Sequence, residues 1–289
     1  MMPLPGPIVV GGVGGSGTRV VAQMLLKLGV YLGRDLNISD DNVWFTVLFR
    51  NPGWLARADE AAIQRRMAIF ERAMLGEHAL SLRDLLGVSR AAVSIAYQNR
   101  NWKNVRYLKR IWTFVRAHRV DMGCYAAWGW KEPNTHVYLR QLNAHFPDLR
   151  YIHTIRNGLD MAYSANQQQV INWGALAGIE LPDLPELLPR ASLEYWVKAN
   201  QTAIEYGQTQ LSEHFYLLNF DALCANPSEE IDKLLTWLAL PGAITEEQRE
   251  SLYKLPQTPP SVGRYKQHDL SIHRAESLVA VRALGFPVD

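Results

Sequence analysis

Cysteine is scarce: 289 residues contain two, Cys124 and Cys224, in no metal-ligand spacing. That excludes a cysteine-built metal centre and a disulfide framework. A single bridge stays formally open, but two isolated thiols suit a reducing compartment. An excess of one charge is also missing. The 30 basic and 28 acidic residues leave a net charge of +2, without the basic stripe of a nucleic-acid binder, although a local basic cluster can still hold a small anion. No apolar run approaches membrane-spanning length. The first strand signal begins at about Pro7, which leaves no room for the charged and apolar regions of a secretory leader. Repeats and low-complexity tracts are absent. The expectation is a soluble, cytoplasmic protein with no nucleic-acid or membrane partner; nothing in the pattern speaks to oligomeric state.

What is present is an ordinary globular composition, 48% hydrophobic and 20% charged, in a length that fits one large α/β domain or two small ones. Ile8-Val9-Val10, bounded by Pro7 and glycines, reads as a buried strand. Val20, Val21, Met24, Leu25 and Leu28 repeat at helical spacing, and Gly29 ends that helix. Further strand signals lie in "GVYLG" (29–33), "AAWGW" (126–130), "LRYIHTI" (149–155) and "HFYLLNF" (214–220). Residues 54–120 carry helical stripes, Ile63/Met67/Phe70/Met74 and Val105/Leu108/Trp112/Val115. Tyr138, Leu142 and Phe146 mark another helix. Asn226-Pro227 with Glu229, and Thr245 with Gln248, read as capping boxes. The proline-punctuated "IELPDLPELLP" (179–189) reads as a surface loop or lid. The alternation predicts an α/β fold, a parallel sheet flanked by helices with a helical insertion over about 54–120; the glycine turn at residues 11–17 makes that sheet P-loop-like. No linker composition sets the insertion apart, so a single domain over 1–289 is expected.

The chemistry-bearing stretch is "VVGGVGGSGTRVV" (9–21), with glycines at 11, 12, 14, 15 and 17. Between a strand and a helix, glycines let backbone N–H groups converge, and the helix N-terminus adds positive potential, so an anion binds there. The bland alternative is a tight turn without a ligand. Three ligand classes compete. An ATP or GTP loop fits Gly12 and Gly17, but Thr18 stands where lysine is required. A dinucleotide fingerprint matches Gly12, Gly14 and Gly17, with Asp35 as the acid that follows the second strand; that reading makes the protein an oxidoreductase. A phosphosulfate-bearing nucleotide is the third.

The third reading draws on "YIHTIRNGLDMAYSA" (151–165). Arg156 leaves a strand, and Ser164 is placed two turns into the next helix, so both can converge on one phosphate at the carboxyl edge of the sheet. Here the chain resembles the sulfotransferases that use 3′-phosphoadenosine 5′-phosphosulfate (PAPS). The resemblance extends to "WKEP" (130–133), to "YLLNFDALCANPSEEIDKLLTWLALP" (216–241) and to "VGRYKQHDLS" (262–271). It implies that Gly14, Gly15, Ser16, Gly17, Thr18 and Arg19 hold the 5′-phosphosulfate. It implies that Arg156 and Ser164 hold the 3′-phosphate, helped by Arg264, Tyr265 and Lys266 from a flap over the nucleotide. One departure stands out: family members often carry a cation immediately before the Ser-Gly-Thr, and here that place holds Gly15. Arg19 follows the threonine instead.

Sulfuryl transfer needs an aligned donor, stabilised charge on the leaving phosphate, and a base for the acceptor's proton; it needs no metal, and none is expected. Lys131 is the candidate cation, with Arg19 beside it. Asp41 is the preferred base, from the region where the family often places one; Asp35, Asp40, Glu132 and His136 are rivals. Asp41 has an alternative use in capping the helix at "NVWFTVLF". His153 reads as packed rather than catalytic. The expected acceptor is a carbohydrate or other small molecule bearing a hydroxyl or amine, with Trp44, Trp54, Trp102, Trp112 and Trp173 available to line its site. A nucleotide-binding protein without transferase activity remains an alternative.

Overall fold

A computed structural model describes residues 6–76, 80–97, 107–116 and 120–289. Five strands form one parallel sheet: β1 (Ile8–Gly12), β2 (Val30–Tyr31), β3 (Ala127–Lys131), β4 (Arg150–Ile155) and β5 (Phe215–Asn219), in the order β2-β3-β1-β4-β5. The central strand β1 is buried along its whole length, which is why it reads as an unbroken apolar run rather than an alternating one. Its residues still divide by face. Ile8 and Val10 join a core with Val21, Leu25, Ile152, Leu218 and Leu234, whereas Val9 joins the opposite core with Trp130 and Tyr151.

The first core is covered by α1 (Thr18–Lys27) and by helices Pro227–Leu238 and Glu246–Tyr253. The second is covered by the insertion, namely α2 (Val43–Phe49) and helices Glu60–Leu75 and Leu82–Tyr97, together with helix Leu188–Tyr206. The stripe Ile63/Met67/Phe70/Met74 is buried as its spacing predicts. Of the second expected stripe, Leu108 packs against the core and Trp112 does not. Val105 lies outside the described residues, as does Trp102, and Trp112 is 65% exposed on the short helix Ile111–Val115.

Helix signals fared unevenly for local reasons. Thr245 and Gln248 form the complete capping box. Asn226 makes no side-chain cap: its N–H already closes helix Phe220–Ala225 on the Ala222 carbonyl, and its φ of −133° suits that exit. Among the described residues no helix is long and apolar enough to cross a membrane. The connection after β1 leads to one side of the sheet and that after β4 to the other. The carboxyl ends of these neighbours therefore flank a topological switch point, where open α/β sheets bind ligands.

Candidate functional site

At the end of β1 the chain turns through residues 13–17 into α1. Gly12, Gly15 and Gly17 take φ values of 146°, 103° and 92°, a region that L side chains rarely enter. A Cβ on Gly17 would lie 2.1 Å from the Phe220 ring, while Gly15 has only Met161 Cε near it, at 3.7 Å. Gly17 is thus demanded by packing and backbone, and Gly15 by backbone alone. A lysine at position 15 would have room and would still be strained. α1 begins without a side-chain cap and without an acidic residue in its first turn, which leaves its N–H groups for an anion. Ser16 and Thr18 are buried. The Thr154 hydroxyl donates to the Gly11 carbonyl at 3.0 Å and accepts from Ser16 Oγ at 2.9 Å. Gly14 lies against Gln169. Arg19 is exposed and donates to Ser39 Oγ at 2.7 Å, turning its charge toward the loop that follows β2.

That loop carries the second half of the site. Lys131, at the end of β3, is only 2% exposed, so it is not a solvated lysine. Its Nζ donates to the Ser39 carbonyl at 2.8 Å and to Asp41 Oδ1 at 2.5 Å. An ammonium has three donors, and these bonds leave one for a ligand. Asp41 is free to face Lys131 because the cap of α2 is Asn42, whose side chain accepts from Phe45 N–H. Asn37 clamps the loop by accepting from Ser39 and Asp41 N–H and donating to Asp41 Oδ2 at 2.8 Å. Asp35 is buried and already held by Arg110 at 2.7 Å and Thr113 at 2.8 Å, which leaves it unsuited to grip a ribose.

The rivals to Asp41 sit deeper. Glu132 is 2% exposed against 19% for the Asp41 side chain, and both its oxygens accept from Asn134. Burial, and then the neighbouring Asp41 charge, push its carboxyl up to about 7. His136 is buried, with one ring nitrogen on the Pro133 carbonyl and the other on the Tyr195 hydroxyl. Burial lowers it to about 4. His153 is fully buried against Asn200 and lowered to about 3 by the same cause. Both imidazoles are therefore neutral near pH 7.

Arg156 ends β4. Its Nη2 donates to Ser261 Oγ at 2.7 Å, whereas Nε stands 3.7 Å from Asp221 Oδ1, and both of those atoms are buried without a hydrogen-bond partner. A buried guanidinium with an unused donor has capacity for an anion. Helix Gly158–Ala162 is shorter than expected, so Ser164 lies beyond it in a turn, with N–H on the Met161 carbonyl and Oγ accepting from Asn166 N–H. The segment 256–269, expected as an irregular flap, contains the 3-10 turn Arg264–Gln267. The Asp160 carboxylate pins it by accepting from the N–H groups of Gly263 and Tyr265, and Arg264 donates to the Tyr163 carbonyl at 3.3 Å. Tyr265 does not present its ring for stacking: it is 2% exposed, with its hydroxyl on the Asp289 carbonyl. Lys266 is exposed. Reading the sequence missed Thr154, Asp160 and Ser261. Ser261 adjoins the basic segment, but nothing local marks the other two.

The sequence model of the sulfotransferase family matches residues 7–245. The chain belongs to the sulfotransferase family. It is a sulfotransferase enzyme, and the dinucleotide-oxidoreductase and binding-only readings are set aside. Similar solved structures include sulfotransferase STF1 from Mycobacterium tuberculosis H37Rv, at 14% identity and TM-score 0.48, covering 97% of this chain and 77% of that one. The sulfotransferase domain from the curacin biosynthetic pathway matches at 14% identity and TM-score 0.48, covering 99% of each chain. The sulfotransferase domain of the Synechococcus PCC 7002 olefin synthase matches at 12% identity and TM-score 0.45, covering 99% of this chain and 97% of that one. No curated protein matches the sequence. Among the described residues of this sulfotransferase, no group of three or more His, Cys, Asp or Glu side chains is placed to hold a metal ion.

Proposed function

We propose that the enzyme transfers the sulfuryl group of PAPS to a hydroxyl or amine of a small-molecule or carbohydrate acceptor. The observation that carries this reading is the pair of separate anion cradles on neighbouring strands: the uncapped glycine turn after β1 and the half-satisfied Arg156 after β4. A nucleotide with phosphates at both ends of its ribose needs two such cradles. Gly14 through Arg19 take the 5′-phosphosulfate. Arg156 and Ser164 take the 3′-phosphate, with Arg264 and Lys266 at the margin and Tyr265 supporting the segment from below.

In the reaction an acceptor oxygen attacks sulfur, the sulfur–oxygen bond to the phosphate breaks, and 3′,5′-adenosine bisphosphate leaves with the negative charge. The remaining Nζ–H of Lys131 meets that charge, and Arg19 reinforces it; donors preset for developing charge lower the barrier most. Asp41 takes the acceptor's proton. Its partial exposure supports that role over Glu132, and the engaged ring nitrogens argue against His136. Calorimetric titration with 3′,5′-adenosine bisphosphate, AMP and NAD tests the donor. Tight binding of the bisphosphate with weak binding of the other two is expected, and equal affinity for AMP overturns the two-cradle reading.

A further inference from the structure

A cleft of about 310 Å³ opens between the loop after β2 and the helical insertion. Its walls carry three guanidiniums, from Arg34, Arg110 and Arg116, against a single carboxylate, Asp35. Asp35 is 6% exposed and is spent on Arg110 and Thr113, so it neutralises one cation from beneath and presents little negative charge to the opening. Arg34 and Arg116 are exposed. Over the same opening stands Trp112, 65% exposed, while Trp44 in the floor is buried and anchored by its indole N–H to Thr113 at 2.7 Å. An indole 65% exposed on a cationic cleft wall offers a stacking face to a ligand ring.

The cleft shares its loop with the reacting groups. Val43 N–H donates to the Asp35 carbonyl at 2.8 Å, and Asp41 is two residues away, at most about 7 Å of extended chain. A molecule anchored here can direct a hydroxyl toward Asp41 and Lys131.

We infer that this cleft is the acceptor subsite, and that it selects an acceptor ring carrying an anionic substituent: the ring lies on Trp112, and its carboxylate, phosphate or sulfate is held by Arg34 and Arg116. The inference rests on the reading of the Lys131–Asp41 centre as the point of sulfuryl transfer. The volume suits one ring with its substituents, and guanidiniums grip oxyanions through paired N–H donors. Arg110 holds Asp35 and thereby fixes the wall. It is a positioning residue rather than a ligand.

Two matched pairs of probes separate the sources of such a ring: glucuronate against glucose, and 4-hydroxybenzoate against phenol. Binding to the full-length protein is read by calorimetry and Trp fluorescence, with and without saturating 3′,5′-adenosine bisphosphate, whose own binding is measured in parallel. The acidic member of at least one pair is expected to bind tenfold or more tightly than its neutral partner, and added salt should weaken it. Which pair shows the preference tells sugar from aromatic acceptor. Arg116→Gln and Arg34→Gln should each erase most of the preference, and Trp112→Ala should weaken both members of the pair, with melting temperature and bisphosphate affinity unchanged. No preference for an acid in either pair, or a preference that survives the double Arg34→Gln/Arg116→Gln variant, overturns the subsite. Failure of the bisphosphate to bind, with the acid preference intact, instead strikes the donor assignment and leaves the cleft standing.

Discussion

The turn after β1, with the helix it opens, and the loop after β2 touch through Arg19 on Ser39 and Gln23 on Asp40, yet they are built from different material. The first is backbone. Three glycines at positive φ and an uncapped helix start create an anion cradle whose function needs almost no side chains. The second is side chain. Lys131 and Asp41 come from positions 90 residues apart and meet only because β3 lies between β2 and β1 and Asn42 takes over the capping of α2. On the proposed reading the turn grips phosphate oxygens that are charged in the ground state and the transition state alike. A cation directed at one bond discriminates between them. Under the proposed function this is a division of labour: the turn would hold the donor, and the side-chain centre would perform the chemistry.

Loss of the cation tests that division most severely. Lys131→Ala should lower kcat by about 10²–10³-fold, the effect of removing one preset donor to developing charge, while binding of the PAPS donor, in which that charge has not yet developed, changes far less. Returning a cation to the turn with Gly15→Lys should not rescue it, because residue 15 stands at a φ of 103° and a side chain there costs about 1–2 kcal/mol. Steady-state kinetics with a melting curve on each variant reads both. Rescue would mean that the two regions are interchangeable.

Asp41→Asn should cost about 10²-fold in kcat, at the lower end of the range for a positioned base, and flatten the acid limb of the pH–rate profile. A normal profile would move the base to Glu132. On the donor side the effect is smaller and of another kind. Arg156→Ala should weaken 3′,5′-adenosine bisphosphate by about tenfold or more, as the loss of one charge-assisted hydrogen bond of about 1.5–3 kcal/mol implies, and barely alter AMP. Equal losses for both nucleotides would place Arg156 away from the 3′-phosphate.

The smallest expected effect is on stability rather than rate. Glu132 titrates from 4.5 up to about 7 on folding, through burial first and the Asp41 charge second. A carboxyl raised in this way contributes stability that is fully present below pH 4.5 and lost as pH rises through about 7. Glu132→Gln cannot ionise, so its melting temperature relative to wild type should climb between those values and level off above them. A difference that stays constant with pH would remove Glu132 as the titrating group beneath the centre.

Much of this was legible in advance, and what was hidden was hidden for stated reasons. Four of the five strands lay where apolar runs met glycine or proline, β5 was marked by its apolar run alone, and the stripe through Ile63 and Met74 gave the insertion its core face. The Asn226 capping box did not form, because the preceding helix had already claimed that residue's backbone. Trp112 fits a helical stripe as well as any buried residue does, yet it is 65% exposed, on a helix only five residues long. Ser164 fell outside its helix because helix Gly158–Ala162 ends after little more than a turn.

The sequence alone determined the glycine turn, the parallel α/β order and the residue types at the centre, since each follows from local backbone freedom or apolar period. Only the tertiary structure decided which charges meet. It set Asp41 rather than Asp35 against Lys131, spent Asp35 on Arg110, buried His136 and Tyr265, and tied the segment after Pro260 to Asp160. Contacts of this kind depend on strand order and on which neighbour reaches a donor first, and neither is written in the spacing of residues along the chain.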